Sequence, residues 1–122
     1  MATVSQVIGN FYDGMESKTN AWQQFLGDDV VFSDASHRLH AEGRQAFIQS
    51  FTPFIGSVVH VKLKQLIVED PDACAVVSYD YVNPKGERLH QDDAEVWKVV
   101  DGRITALTIY FDITEFRNFM GR

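Results

Sequence analysis

The sequence predicts an α+β domain with helices first and an antiparallel sheet after them. Three observations carry this. Apolar residues recur at three to four positions in the N-terminal half. The period falls to two from Val58 onward. Short turn segments then separate four strand-like runs, and such short connections join antiparallel neighbours.

Val4, Val7, Ile8, Phe11, Tyr12 and Met15 form one stripe, which predicts an amphipathic helix over about residues 3–17. Ala21, Trp22, Phe25 and Leu26 predict a second, shorter helix, capped by Thr19 or Asn20 and stopped at Gly27. A strand is expected over Val30–Ala35, then a polar loop over Ser36–Glu42. Phe47, Ile48, Phe51 and Phe54 place a third helix over Gly43–Ile55, with Pro53 disturbing its last turn. The four strands are expected at Val58–Glu69, Ala73–Asn83, Leu89–Val100 and Ile104–Ile113. Asp70-Pro71-Asp72, Asn83-Pro84-Lys85-Gly86 and Asp101-Gly102 supply the turn chemistry between them. Asp-Gly between alternating runs is a strong hairpin signal, because both residues tolerate positive φ. The tail Thr114–Arg122 reads as a last helical turn or a fraying end.

The chain has 122 residues, 45% of them hydrophobic, which suits one core rather than two. A single domain spanning 1–122 is therefore expected. Fifteen aromatics are generous for this size and suit a cavity lining. The net charge of −6 and the lack of a basic cluster argue against nucleic acid as a partner. No run approaches 18 apolar residues, so no membrane span is expected. The first residues show no basic stretch followed by an apolar one, and a cytoplasmic location is expected. The single cysteine, Cys74, reads as a core thiol. No phosphate loop, nucleophile elbow or Cys-His pair is visible, so no cofactor is expected. His37 and His40 near Asp34 lack diagnostic metal spacing, and no metal is expected either.

The last quarter carries a more specific signal. Trp97-x-Val99-x-Asp101-Gly102-Arg103-Ile104, followed by Tyr110-Phe111-Asp112, resembles the closing hairpin of the nuclear transport factor 2-like superfamily. That superfamily includes SnoaL-like cyclases, ketosteroid isomerases and limonene epoxide hydrolases. The resemblance implies a cone-shaped curved antiparallel sheet wrapped around three N-terminal helices, with a pocket inside. It also implies a homodimer through the convex sheet face, where Val76, Ser78, Thr108 and Tyr110 are expected.

The resemblance further suggests site residues. Leu26-Gly27-Asp28-Asp29-Val30-Val31-Phe32-Ser33-Asp34 is similar to the isomerase segment that ends in its general base, which places that role on Asp34. Glu95, two residues before Trp97, falls on the acid of the isomerase oxyanion hole. The isomerase's tyrosine donor falls on Phe11, which cannot donate. Either Tyr12 or Tyr79 substitutes, or the isomerase chemistry is absent. An acidic residue of the epoxide hydrolases falls on Ile109, so their catalytic set is incomplete here. Asp112 is either an acid of the cyclase type or a cap for the C-terminal turn.

The resulting expectation is a catalytic set of Asp34, Glu95 and Tyr12. Phe11, Tyr79, Tyr81, Trp97, Ile109 and Phe111 would contact an apolar organic molecule. If Asp93 and Glu95 share a face with Trp97 and Val99, two carboxyls would face an aromatic cavity with raised pKa values. The alternation in 89–100 allows either face to point inward. Two functions remain open. One is a cofactor-independent isomerase, cyclase or hydrolase-like enzyme that moves a proton on an apolar substrate. The other is a non-catalytic ligand-binding or dimerisation module.

Overall fold

The computed structural model describes residues 2–121. Helix α1 spans Val4–Ser17, and a 3-10 turn covers Asn20–Gln23. Strands β1 (Leu26–Asp34) and β2 (His40–Glu42) precede helix α2 (Arg44–Ser57). Four long strands follow: β3 (Val58–Glu69), β4 (Asp72–Val82), β5 (Arg88–Val100) and β6 (Arg103–Tyr110). Helix α3 (Ile113–Met120) closes the described chain. The result is an α+β fold, as the change of period predicts.

The six strands form one open sheet in the order β2-β1-β6-β5-β4-β3. Every neighbouring pair is antiparallel except β1·β6, which is parallel. The sheet is thus mixed, whereas short turns between successive strands speak only for the antiparallel part. Irregular registers occur in β3·β4, β5·β6 and β1·β6. Such bulges bend and twist strands, and here they shape an unclosed sheet into the cone of the nuclear transport factor 2-like fold.

Local chemistry explains the ends of the elements. Thr3 and Gln6 form a reciprocal capping box at the start of α1. Asp101 and Gly102 both take positive φ, 52° and 74°, in the β5–β6 hairpin. Pro53 lies inside α2, yet the helix continues to Ser57, whose hydroxyl donates to the Phe54 carbonyl at 2.6 Å.

The expected second helix over Ala21–Leu26 shortens to the 3-10 turn because β6 captures the chain just after it. Ile104 N donates to the Phe25 carbonyl at 2.8 Å, and β1 begins at Leu26 rather than Val30. The expected polar loop contains the short strand β2, paired with Val31–Ser33. The tail is a capped eight-residue helix, so one of the three helices is C-terminal rather than N-terminal.

The core lies between the helices and the concave sheet face. Val4, Val7, Ile8, Phe11, Tyr12 and Met15 of α1 are all buried. At Gly14 a Cβ would come within 2.5 Å of Trp22 N, so glycine lets α1 lie directly on the 3-10 turn. On β5 the buried positions are Gln91, Asp93, Glu95, Trp97 and Val99. This settles which face of that strand points inward.

Candidate functional site

Register builds the site. Glu95 lies opposite Ala75 on β4 and Ile109 on β6, and Trp97 lies opposite Ala73 and Leu107. The two alanines leave space over β4 that larger side chains would fill. Tyr79 and Tyr81, further along the same face of β4, reach back diagonally into it. Tyr79 OH donates to Glu95 Oε2 at 2.9 Å, and Tyr81 OH to Asp93 Oδ2 at 3.4 Å. From α1, Tyr12 OH donates to Glu95 Oε1. The Trp97 indole N–H donates to Tyr12 OH at 3.3 Å, and Phe11 packs edge-on against Trp97 at 4.8 Å.

Two buried carboxyls therefore sit two residues apart on one strand, and their surroundings differ. Both oxygens of Glu95 accept tyrosine hydroxyls. Asp93 receives one long hydrogen bond, and its Oδ1 is buried without a partner. The neighbouring Gln91 is similar: Nε2 donates to the Asp112 carbonyl (3.1 Å) and Glu115 Oε1 (2.8 Å), while Oε1 is buried and unpaired. Among the described residues no Lys, Arg or His pairs with either carboxyl.

Burial pushes Glu95 up to about 7, against the downward pull of the two tyrosine hydrogen bonds. Burial, reinforced by the nearby Glu95 charge, pushes Asp93 up to about 8. Tyr12 and Tyr79 are raised well above their ordinary range by burial and by Glu95, so both remain donors.

Asp34 shares the row of Glu95: it pairs with Ile109, which pairs with Glu95. Two strand spacings separate them, about 10 Å. Its carboxylate is engaged with its own loop. Oδ2 accepts Ser36 N (2.9 Å) and the Ser36 hydroxyl, and Oδ1 accepts Leu39 N (2.8 Å). Burial raises its pKa, but these hydrogen bonds outweigh it and leave the group below its ordinary value.

One of several surface pockets, the most enclosed of them, lies beyond this cluster. It encloses about 240 Å³ and is lined by Leu39, Ser50, Pro53, Phe54, Ile113, Phe116, Arg117 and Met120. None of the residues expected to line a cavity borders it directly. Phe54 and Phe116 form its inner wall, and behind them stand Tyr79 and Tyr81. Phe54 lies 5.3 Å from Tyr79 and 5.6 Å from Tyr81, and Phe116 lies 5.0 Å from Tyr81. Phe111 touches Phe116 at 5.8 Å.

The structure thus gathers Phe11, Tyr12, Tyr79, Glu95 and Trp97, sets Ile109 beside Glu95, and leaves Phe111 near the mouth. Asp112 caps α3, with Oδ1 accepting Glu115 N at 2.9 Å. His40 pairs with Glu42, and among the described residues no group of three or more His, Cys, Asp or Glu side chains is placed to hold a metal. Sequence reasoning missed the open oxygens of Gln91 and Asp93 and the Phe54–Phe116 wall. Alternation through Gln91-Asp92-Asp93-Ala94-Glu95 contains the first signal. The 113, 116, 120 spacing of apolar residues contains the second.

Residues 8–107 match the sequence pattern of the SnoaL-like domain. This chain belongs to the SnoaL-like domain family. Solved structures of the same fold agree. A putative SnoaL-like polyketide cyclase from Jannaschia sp. CCS1 superposes with a TM-score of 0.81 at 11% identity, covering 100% of this chain and 97% of that one. TerC, co-crystallised with polyporic acid, gives 0.80 at 14% identity, covering 97% and 98%. A ketosteroid isomerase-like protein from Catenulispora acidiphila DSM 44928, in complex with trimethylamine, gives 0.79 at 14%, covering 98% and 95%. At these identities the likeness is one of fold. Among curated proteins none matches the sequence. The SnoaL-like chain also has, among the described residues, no helix long and apolar enough to cross a membrane.

Proposed function

We propose that this SnoaL-like chain binds a small, largely apolar organic molecule through the pocket under α3 and moves a proton on it. Asp93 is the transferring carboxyl. Glu95, fixed by Tyr12 and Tyr79, is the stationary one. The observation that carries this reading is the unpaired, buried Oδ1 of Asp93 beside a Glu95 whose two oxygens are both occupied. Two acids in unlike environments can divide acid and base roles, a pattern for which ketosteroid isomerase is a known example. Asp93 replaces Asp34 as the base, because loop hydrogen bonds occupy both oxygens of Asp34. Relatives of the fold bound to polyporic acid and to trimethylamine support an organic occupant.

A second reading is favoured by one observation. Phe54 and Phe116 pack against the tyrosines that bond the carboxyls, as they would in a non-catalytic binding module. The compound 5-nitrobenzisoxazole separates the two readings. A desolvated carboxylate that reaches its C–H opens it to a coloured phenolate. Turnover that rises with pH through about 8 and disappears in Asp93→Asn supports proton transfer. Binding with no turnover above the buffer rate supports the module.

We also infer a homodimer through the convex face. Ile67, Cys74, Val96 and Thr108 form one row across it, and Val76, Ala94 and Tyr110 the next. Ile67 is 54% exposed, Val96 39% and Tyr110 51%. Such a patch favours burial against a second copy. Light scattering is expected to give twice 13.8 kDa, and a monomer mass at high concentration refutes the dimer. We place the chain in the cytoplasm as part of the same proposal, a setting that suits a sequence with one cysteine and so no internal disulfide.

A further inference from the structure

The pocket mouth carries chemistry that the buried carboxyls do not explain. Six of its eight lining residues are apolar, and its only charged lining group is Arg117. Arg117 Nη2 donates to the Arg38 carbonyl at 3.3 Å, and Arg38 Nη1 donates to Thr114 Oγ1 at 2.7 Å. Two guanidinium groups are thereby fastened at the junction of the 35–39 loop and α3. Among the described residues neither has a carboxylate within salt-bridge distance, in a chain with 17 acidic residues and 11 basic ones. The nearby acids are occupied elsewhere: Glu115 accepts Gln91 Nε2, Asp112 caps α3, and Asp34 closes its loop. A cation in the last turn of α3 suits the helix dipole. That alone does not account for a second, unpaired arginine beside it.

We propose that Arg117 and Arg38 form an anion subsite, and that the ligand of this pocket is an apolar carboxylic acid of one or two rings. The carboxylate would accept from Arg117 at the pocket lining and from Arg38 just outside it, and the forked donors of a guanidinium match its two oxygens. The ring system would enter the apolar pocket and meet the Phe54–Phe116 wall. A volume of about 240 Å³ is below the usual range of roughly 300–1,000 Å³ for ligand pockets, which limits the ring system to that size. The inference rests on the proposed reading of the pocket as the ligand's way in. It adds the substrate class.

The test compares 2-naphthoate with its neutral isostere 2-naphthamide by calorimetry or NMR titration of the whole chain. The acid is expected to bind about 10-fold more tightly or better. The preference should shrink with added salt. It should also collapse in Arg117→Gln and weaken in Arg38→Gln, with far-UV circular dichroism unchanged. Equal binding of acid and amide, binding of neither, or a preference that survives in both variants overturns the proposal. Its failure is separable from that of the proton-transfer reading. Asp93-dependent opening of 5-nitrobenzisoxazole without an acid preference removes the anion subsite alone. An arginine-dependent acid preference without turnover removes the proton transfer alone.

Discussion

Asp34 and Asp93 are both 1% exposed, but Asp34 lies just beneath its loop and Asp93 deep in the core, and their carboxyls shift in opposite directions. Asp34 sits where a loop turns its N–H groups inward, and accepts hydrogen bonds on both oxygens. Asp93 sits mid-strand, where backbone donors are spent on the ladder, and receives only the Tyr81 hydroxyl at 3.4 Å. Deep burial with one donor raises Asp93, while shallower burial with several donors lowers Asp34. The loop thus keeps an anion for architecture. The strand keeps a carboxyl that holds its proton to about pH 8.

The largest expected effect is on chemistry. Asp93→Asn should lower 5-nitrobenzisoxazole turnover by about 100- to 10,000-fold, while Asp34→Asn leaves the chemical step within a few-fold. The reverse pattern, read in pre-steady-state rates, would return the base to Asp34.

Next is the pH dependence of stability. Asp93 and Glu95 have folded-state pKa values raised to about 8 and about 7, so the folded state holds their protons longer than the unfolded chain does. Stability from these groups is therefore fullest below about pH 4 and falls as pH rises toward 7–8. The slope reaches about 1.4 kcal/mol per pH unit for each group. Asp34 has the opposite sign: its contribution is present above pH 4 and disappears as pH falls through its lowered value. Urea melts between pH 4 and 9 should show the decline in the wild type and a shallower one in Asp93→Asn.

Asp34→Ala comes third. It removes the acceptor for Ser36 N and Leu39 N and should cost about 1–3 kcal/mol in the same melts. An unchanged midpoint would mean that water serves the loop equally well. Smallest is Tyr12→Phe, which deletes one donor to Glu95 and the acceptor for the Trp97 N–H. It should cost about 1–2 kcal/mol and move the Glu95 titration upward in carboxyl-detected NMR.

The fold was legible where periodicity was long. Val58–Glu69 coincides with β3, and the other three long strands shift by one to three residues. It was not legible at Phe25–Gly27, where helical spacing loses to backbone pairing with Ile104. The tail was ambiguous because α3 depends on tethers from outside it, including Asn83 Nδ2 to the Phe119 carbonyl at 3.0 Å. In the site, matching to known relatives brought out Glu95, Tyr12 and Trp97. No pattern in the sequence shows how many donors reach a given carboxyl. The resemblance therefore suggests Asp34 as the base, while Asp93 enters only through the alternation of its strand.

The parallel pairing of β1 with β6 sets a schedule for the chain. Asp34 lies beside Ile109, about three-fifths of the chain length away. During synthesis β1 and β2 have no further strand to pair with until β6 appears, and a lone two-stranded pair is at best marginally stable in water. Local meander pairings among β3, β4 and β5 can form earlier. Joining β1 to β6 makes a contact of high sequence separation, the kind that forms slowly. Until then β1 keeps one edge unpaired, the form in which a nascent sheet most readily joins the wrong neighbour.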